Sequence, residues 1–541
     1  MFRLRALPLL LLLLALPALA KPPRLTLFIT VDAMGSDLLL RTQPRLKGGL
    51  RQLIDSGAFY PYARYGYAKP RTAPGHATLA TGANPWRHGI VDNRIIDRAT
   101  GKPERVFPDP THPVLEAALS NEDVSPANLM AETVADRLRL ATQAQGKAIA
   151  LSGKARSAIP LAGRLGQAYW YDETVGKFVT GTWYTKELPG WLKAFNAANP
   201  PEAWFGKVTW EPLLPRTAYT GEDDRPYEGE LYGLGRTFPH PLTGGLTSPG
   251  PQAYTAFAIS PLSLDLVVKA ARAAIDGEGL GKDEVPDLLA VSFSATDRVF
   301  HQYGPNSWEM QDTMYRLDKA LGDLVAAAER AAGGRDNLLV VLSADHGGAA
   351  VPEHWAAEGM DAQRVDPGVL SKGLTEALRA QFGGDILATV EELDVYLGGK
   401  TLEGGKVDGA AVRRAAAAWL LKQPAITLAV ARDDLYSMPD VAGLVMPLRR
   451  GYFPGRSGDV LFVVKPFHVI SAEPTGTNHG TPYAYDQLVP FILAGKGVKP
   501  GTYTREISTT DVAPTVAAAL GLSLPASAEG EPRYEALGSG R

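Results

Sequence analysis

The sequence predicts an α/β layered domain. Two observations carry that expectation: short apolar runs that stop abruptly at polar residues, and alanine-rich helical stretches between them. Leu25 to Val31 runs into Asp32, Leu288 to Phe293 leads to Thr296-Asp297, and Leu338 to Leu342 leads to Asp345-His346, with Val460 to Val464 as a fourth run. Runs this uniformly apolar need cover on both faces, so a largely parallel sheet between helices is expected. Ligands of such open sheets gather beyond the carboxyl ends of the strands. Asp and His residues stand there in three of the four cases.

In chain order, Arg3 and Arg5 precede the apolar run Leu9 to Leu14 and then Ala18-Leu19-Ala20. That is the charged, apolar and small-residue order of a secretory signal peptide, with cleavage after Ala20 and a periplasmic or secreted destination. The apolar run falls short of the roughly 20 residues of a membrane span. Pro8 and Pro17 interrupt it as well. No later segment is long and apolar enough to span, so no membrane span is expected after cleavage. A single catalytic domain is expected over 21–541. From about Ser157 to Pro261 the pattern turns to Gly, Pro and aromatics, with Trp170, Trp183, Trp191, Trp204 and Trp210 among the nine tryptophans, and this reads as an inserted cap. A second break, about 352–458, contains the helical stretch Ala410 to Leu421 and reads as another insertion. Leu317 to Ala332 and Val512 to Leu520 read as helices packed on the sheet. A polar tail begins near Ala526.

Composition removes several chemistries. The 541 residues include no cysteine, so disulfides and thiolate metal sites are excluded and any metal must use His, Asp or Glu. A formal net charge of -3 gives no broad cationic field, and no nucleic-acid polymer is expected as a partner. Oligomeric state leaves no mark in the sequence.

Asp297 and His301 stand four apart, a spacing that lets both reach one ion from a helical turn, though alone it more often describes a surface pair or a helix-start aspartate. Asp345-His346-Gly347-Gly348 places two ligand types at a strand end before glycines that permit a tight turn; alone it equally describes a capping aspartate beside a solvated histidine. His479 lies in the small polar loop Thr475 to Gly480, and Asp32 directly follows Val31. Together these residues offer enough oxygen and nitrogen ligands for two zinc-type ions with open positions for a substrate. Arg71-Thr72-Ala73-Pro74-Gly75-His76 puts a hydroxyl just before a proline suited to a first helical turn. Thr72 there is either a helix cap or a nucleophile favoured by the helix amino end. His76 reads as a helix residue supporting the site.

The ordered set Val31-Asp32-Ala33-Met34, Thr72-Ala73-Pro74-Gly75-His76, His88 to Asn93, Asp297-x-x-x-His301, Asp345-His346-Gly347 and Asn478-His479-Gly480 resembles the alkaline phosphatase superfamily, in its threonine-nucleophile branch. The resemblance covers nearly the whole mature chain and implies a three-layer α/β/α sandwich. It implies two zinc ions, one held by Asp297, His301 and His479 and the other by Asp32, Asp345 and His346, with the Thr72 oxygen also touching metal. Asn93 is implied to bind a phosphoryl oxygen. Ser152-Gly153-Lys154-Ala155-Arg156 resembles the Lys-x-Arg pair with which the bacterial alkaline phosphatases grip that group. The related nucleotide pyrophosphatases and phosphodiesterases typically lack this pair. Sulfatases of a related fold need a cysteine, which this chain does not have.

The implied activity is hydrolysis of small phosphate monoesters through a phosphothreonine at Thr72. The alternative is a nucleotide pyrophosphatase or phosphodiesterase using the same two metals. Preference for monoesters also has a physical basis in the residues. A monoester dianion has a charged oxygen that a diester masks, and two extra cations act most strongly when it is free. A separate calcium site of surface carboxylates is left open.

Overall fold

The computed structural model describes residues 21–120 and 124–538, so the expected leader and its cleavage after Ala20 lie outside the described residues. The main sheet is built from strands β1 (Leu25–Val31), β2 (Ala58–Arg64), β3 (Ala148–Ser152), β4 (Gln167–Asp172), β5 (Lys177–Val179), β6 (Asp287–Phe293) and β7 (Leu338–Ser343). A second sheet follows, made of β8 (Leu387–Glu391), β9 (Asp394–Gly398), β10 (Ile426–Ala431) and β11 (Val460–Val464), before β12 (Leu488–Gly495), β13 (Gly501–Thr502) and β14 (Ile507–Ser508) return to the first. The main sheet has the order β13-β2-β12-β7-β1-β6-β3-β4-β5, with β14 also on β2. Strands β7, β1, β6, β3 and β4 are mutually parallel, and β12 runs against both β7 and β2.

β1, β6 and β7 are buried along their whole length, which is why their sequences are apolar without alternation. Helices α1 (Thr72–Thr81), α2 (Ala155–Ala162), α3 (Leu262–Glu278), α4 (Ala295–Tyr303), α5 (Trp308–Ala332), α6 (Pro367–Phe382), α7 (Gly409–Leu420) and α8 (Val512–Leu520) supply cover. α3 and α5 form part of one layer, and α1, α2 and α8 part of another. This is the expected α/β architecture around a largely parallel sheet. Each Leu, Ile, Val or Phe side chain taken fully out of water here contributes roughly 1.5–3 kcal/mol before entropy is counted.

One expectation is corrected. Val460 to Val464 is not part of the parallel sheet: it is a central strand of the second sheet, order β8-β9-β11-β10, in which every pairing is antiparallel. Its run is uniformly apolar because both faces are covered. Val460, Phe462 and Val464 pack with Leu374 and Leu378 of α6 and Val412 and Leu420 of α7, while Leu461 and Val463 pack with Leu435, Val445 and Leu448. Burial on two faces, not strand direction, made the run continuous.

Candidate metal centre and phosphoryl site

Register brings the ligands level. Val31 pairs with Phe293, Thr30 with Ser343 and Ser292 with Ser152, so β7, β1, β6 and β3 end on one edge of the sheet. Asp345-His346, Asp32, Asp297 and Lys154 all issue from those ends. α1 reaches the same edge from beyond β2. Arg71 occupies its cap position in extended conformation and Thr72 is its first helical residue, so the Thr72 hydroxyl is not used as the cap. Close approach of α1 depends on Gly75, where a Cβ would lie 2.2 Å from the Asp345 carbonyl oxygen.

The structure brings together all six expected His and Asp ligands. His301 Nε2 stands 3.3 Å and His479 Nε2 3.7 Å from Asp297 Oδ1. His346 Nε2 stands 3.2 Å from Asp32 Oδ1 and 3.6 Å from Asp345 Oδ2. Asp297 lies nearer the second group than the sequence suggested, with Oδ1 3.9 Å from His346 Nε2. Among the described residues, Asp297, His301 and His479 form one set of converging ligand atoms and Asp32, Asp297 and His346 another.

These residues fit a metal centre. Each histidine uses Nδ1 on a backbone carbonyl: His301 on Thr477 O at 3.0 Å, His346 on Gly347 O at 2.8 Å, and His479 on Pro70 O at 3.2 Å. That contact fixes the tautomer and aims Nε2 inward. His346 Nε2, His479 Nε2, Asp32 Oδ1, Asp297 Oδ1 and Asp345 Oδ2 are buried and have no hydrogen-bond partner. Orphaned polar atoms are costly in a folded interior unless something meets them. Charge points the same way. Burial, followed by the neighbouring Asp32, pushes the Asp345 carboxyl well above its usual range, the sign of a cluster short of positive charge. Burial works against the Asp297 carboxylate too, but His301 and then Lys154 hold it well below that range.

Lys154 Nζ donates to Asp32 Oδ2 at 2.6 Å and also to Asp297. Lys154 and the half-buried Arg156 line one cleft of about 700 Å³ together with Asp297, His301 and Arg71. Asn93 Oδ1 accepts from Ala73 N at 2.8 Å, which leaves the Asn93 amide donors for another acceptor and ties it to the Thr72 helix. His76 is fully buried, with Nδ1 2.8 Å from Thr72 O and Nε2 2.8 Å from Ser292 Oγ. Burial lowers its pKa to about 4, so it braces the helix as a neutral ring.

Sequence reasoning missed the frame around these groups. Arg71 donates to the His479 carbonyl at 3.1 Å and lies 2.8 Å from Glu392. Arg298 pairs with Glu173 at the cleft wall. Arg71 adjoins Thr72 in the motif and could have been singled out by that position; nothing near Glu392 marks it.

A sheet edge carrying converged His and Asp ligands beside a helix-borne threonine defines a metal-dependent hydrolase site of the alkaline phosphatase superfamily. Residues 26–480 match the family model for type I phosphodiesterase / nucleotide pyrophosphatase, and the chain belongs to that family. It is similar to alkaline phosphatase PafA of Elizabethkingia meningoseptica, 34% identical over 526 residues, 95% of each chain. Alkaline phosphatase PhoV of Synechococcus elongatus is 32% identical over 524 residues, covering 95% of this chain and 93% of that one. The crystal structure of wild-type PafA superimposes with a TM-score of 0.88 at 32% identity, covering 96% of this chain and all of the other.

Proposed function

We propose that this chain is a zinc-dependent alkaline phosphatase that hydrolyses small phosphate monoesters through a phosphothreonine at Thr72. It is read as one catalytic domain over 21–541 with cap insertions at about 157–261 and 352–458, exported by its first twenty residues to the periplasm or beyond. The observation that carries the monoester reading is the presence of Lys154 and Arg156 on the wall of the cleft that contains Asp297 and His301. Among the described residues no helix is long and apolar enough to cross a membrane.

Asp297, His301 and His479 would hold one zinc and Asp32, Asp345 and His346 the other, and the Thr72 oxygen would also touch metal. Zinc bound there would supply Lewis-acid stabilisation of charge on the attacking and departing oxygens. Thr72 Oγ, its proton given up to water, attacks phosphorus in line, forming the Oγ–P bond as the bond to the leaving oxygen breaks and that oxygen takes up a proton. Water then cleaves the phosphothreonine, releasing inorganic phosphate and restoring Thr72. Lys154 and Arg156 offset the charge on the phosphoryl oxygens and Asn93 adds a neutral donor. The amino end of α1 favours the anion as well.

The test is the ratio of kcat/KM for an aryl phosphate monoester and a diester with the same leaving group, at alkaline pH. A large ratio in favour of the monoester is expected. A ratio favouring the diester overturns the monoesterase reading and moves the chain to the phosphodiesterase side of its family.

A further inference from the structure

The second sheet reaches the phosphoryl site through one turn. β8 and β9 are joined by Glu392-Leu393, and Glu392 has φ 53°, a left-handed conformation that glycine or asparagine usually supplies. Such a backbone conformation in a non-glycine residue persists where the surrounding structure holds it. Glu392 Oε2 lies 2.8 Å from Arg71 Nη1 and 3.5 Å from Asn478 Nδ2. Two residues on, Asp394 accepts from Lys69, which also lies 3.1 Å from Asp92 Oδ2. The turn is therefore fastened by two ion pairs to the short segment that leads into Thr72.

That segment frames the proposed site on two sides. Pro70 O meets His479 Nδ1, and Arg71 Nη1 donates to the His479 carbonyl, so residues 70 and 71 grip His479 at ring and backbone. Gly480, at φ 101°, makes room for this grip, since a Cβ there would lie 3.2 Å from Arg71. Arg71 Nε lies 3.2 Å from Asp92 Oδ1, and the same Asp92 oxygen accepts from Asn93 N at 2.7 Å. One guanidinium thus ties together the His479 loop, the turn that carries Asn93 and the start of the Thr72 helix. Buried ion pairs add little net stability over well-packed apolar residues of the same volume. Orientation is what this one supplies.

We infer that Glu392 is a positioning residue for the phosphoryl site, holding Arg71 in the one orientation in which it fixes both His479 and the Asp92-Asn93 turn. The second sheet then completes the site, although it contributes no ligand. This rests on the two-metal reading above. Outer contacts of this kind typically alter metal affinity or activity by about 10–100-fold.

The experiment uses the zinc-loaded full chain, comparing wild type with Glu392→Ala and Glu392→Gln. Zinc release to a chelator is followed by atomic emission, alongside kcat, KM and the folded fraction. Glu392→Ala is expected to release zinc about 10-fold faster or more and to lose kcat about 10-fold, with KM changed less than about threefold. Glu392→Gln, which keeps the shape and an acceptor for Arg71, is expected to fall between Glu392→Ala and wild type in both readouts. Wild-type zinc release and kcat per folded molecule in Glu392→Ala overturn the inference. If Glu392→Ala does not fold, a Glu392→Gln variant indistinguishable from wild type overturns it instead. A wild-type protein that binds no zinc sinks the two-metal reading itself, a separate outcome from either of these.

Discussion

Lys154 Nζ stands 2.6 Å from Asp32 Oδ2 and also donates to Asp297, so one buried amine spans carboxylates from both ligand sets. The resemblance assigns this lysine to the phosphoryl group. Both placements follow from one requirement: the carboxylates need positive charge, and the amine sits where a dianion can draw it toward the cleft that it lines with Arg156.

Lys154→Ala and Arg156→Ala are expected to lower kcat/KM for phosphate monoesters by about 10²–10³-fold each, the range for removing one preorganised partner of developing charge. Diester turnover should fall by less than about tenfold, because the masked oxygen gives the cations less to hold. Parallel assays on substrates sharing one leaving group measure this. Equal losses on both would remove the pair as a dianion clamp.

Thr72→Ala is expected to abolish phosphoryl transfer while zinc content, measured by atomic emission, stays at the wild-type level, since six His and Asp side chains remain in place. In the wild type, acid quenching during turnover should trap phosphate on the peptide containing Thr72, identified by mass spectrometry. Near-normal turnover by the alanine variant would exclude Thr72 as the nucleophile.

Gly75→Ala is expected to destabilise the protein by at least about 1–3 kcal/mol, the usual cost of overpacking. The new Cβ would meet the Asp345 carbonyl at 2.2 Å, and backbone at a strand end cannot yield as a flexible side chain can. The denaturation midpoint reports this. Activity should fall beyond the loss of folded protein, because α1 must move and Thr72 moves with it.

Much of this was legible in the sequence because strand ends are visible there. Asp32, Asp297 and Asp345-His346 each follow an apolar run, and level register then makes neighbours in space of residues hundreds apart in the chain. Val460 to Val464 was misplaced because a continuous apolar run records burial on two faces and is blind to strand direction. Glu392 left no trace. Its importance comes from a contact with Arg71 across 321 positions, 392 less 71, and from a backbone angle that composition does not encode.

Glu228 gives the fold a pH dependence that bears on alkaline operation. It is buried beside the α4 and α5 helices, both of its carboxylate oxygens lack a hydrogen-bond partner, and burial, then the nearby Glu309, raises its pKa from 4.5 to about 9. The folded state thus keeps a proton that the unfolded chain releases above about pH 4.5, so it binds more protons throughout the interval up to about pH 9. Stability falls wherever the folded state binds the excess. The contribution of Glu228 is therefore whole below about pH 4.5, drains away as pH rises, and is gone above about pH 9. Glu228→Gln has the same shape and no proton to lose. Its melting temperature relative to wild type should accordingly rise from about pH 5 to about pH 9, the variant gaining most under alkaline conditions. A difference that stays constant across that range means that Glu228 ionises normally, and that its buried oxygens find partners in solution.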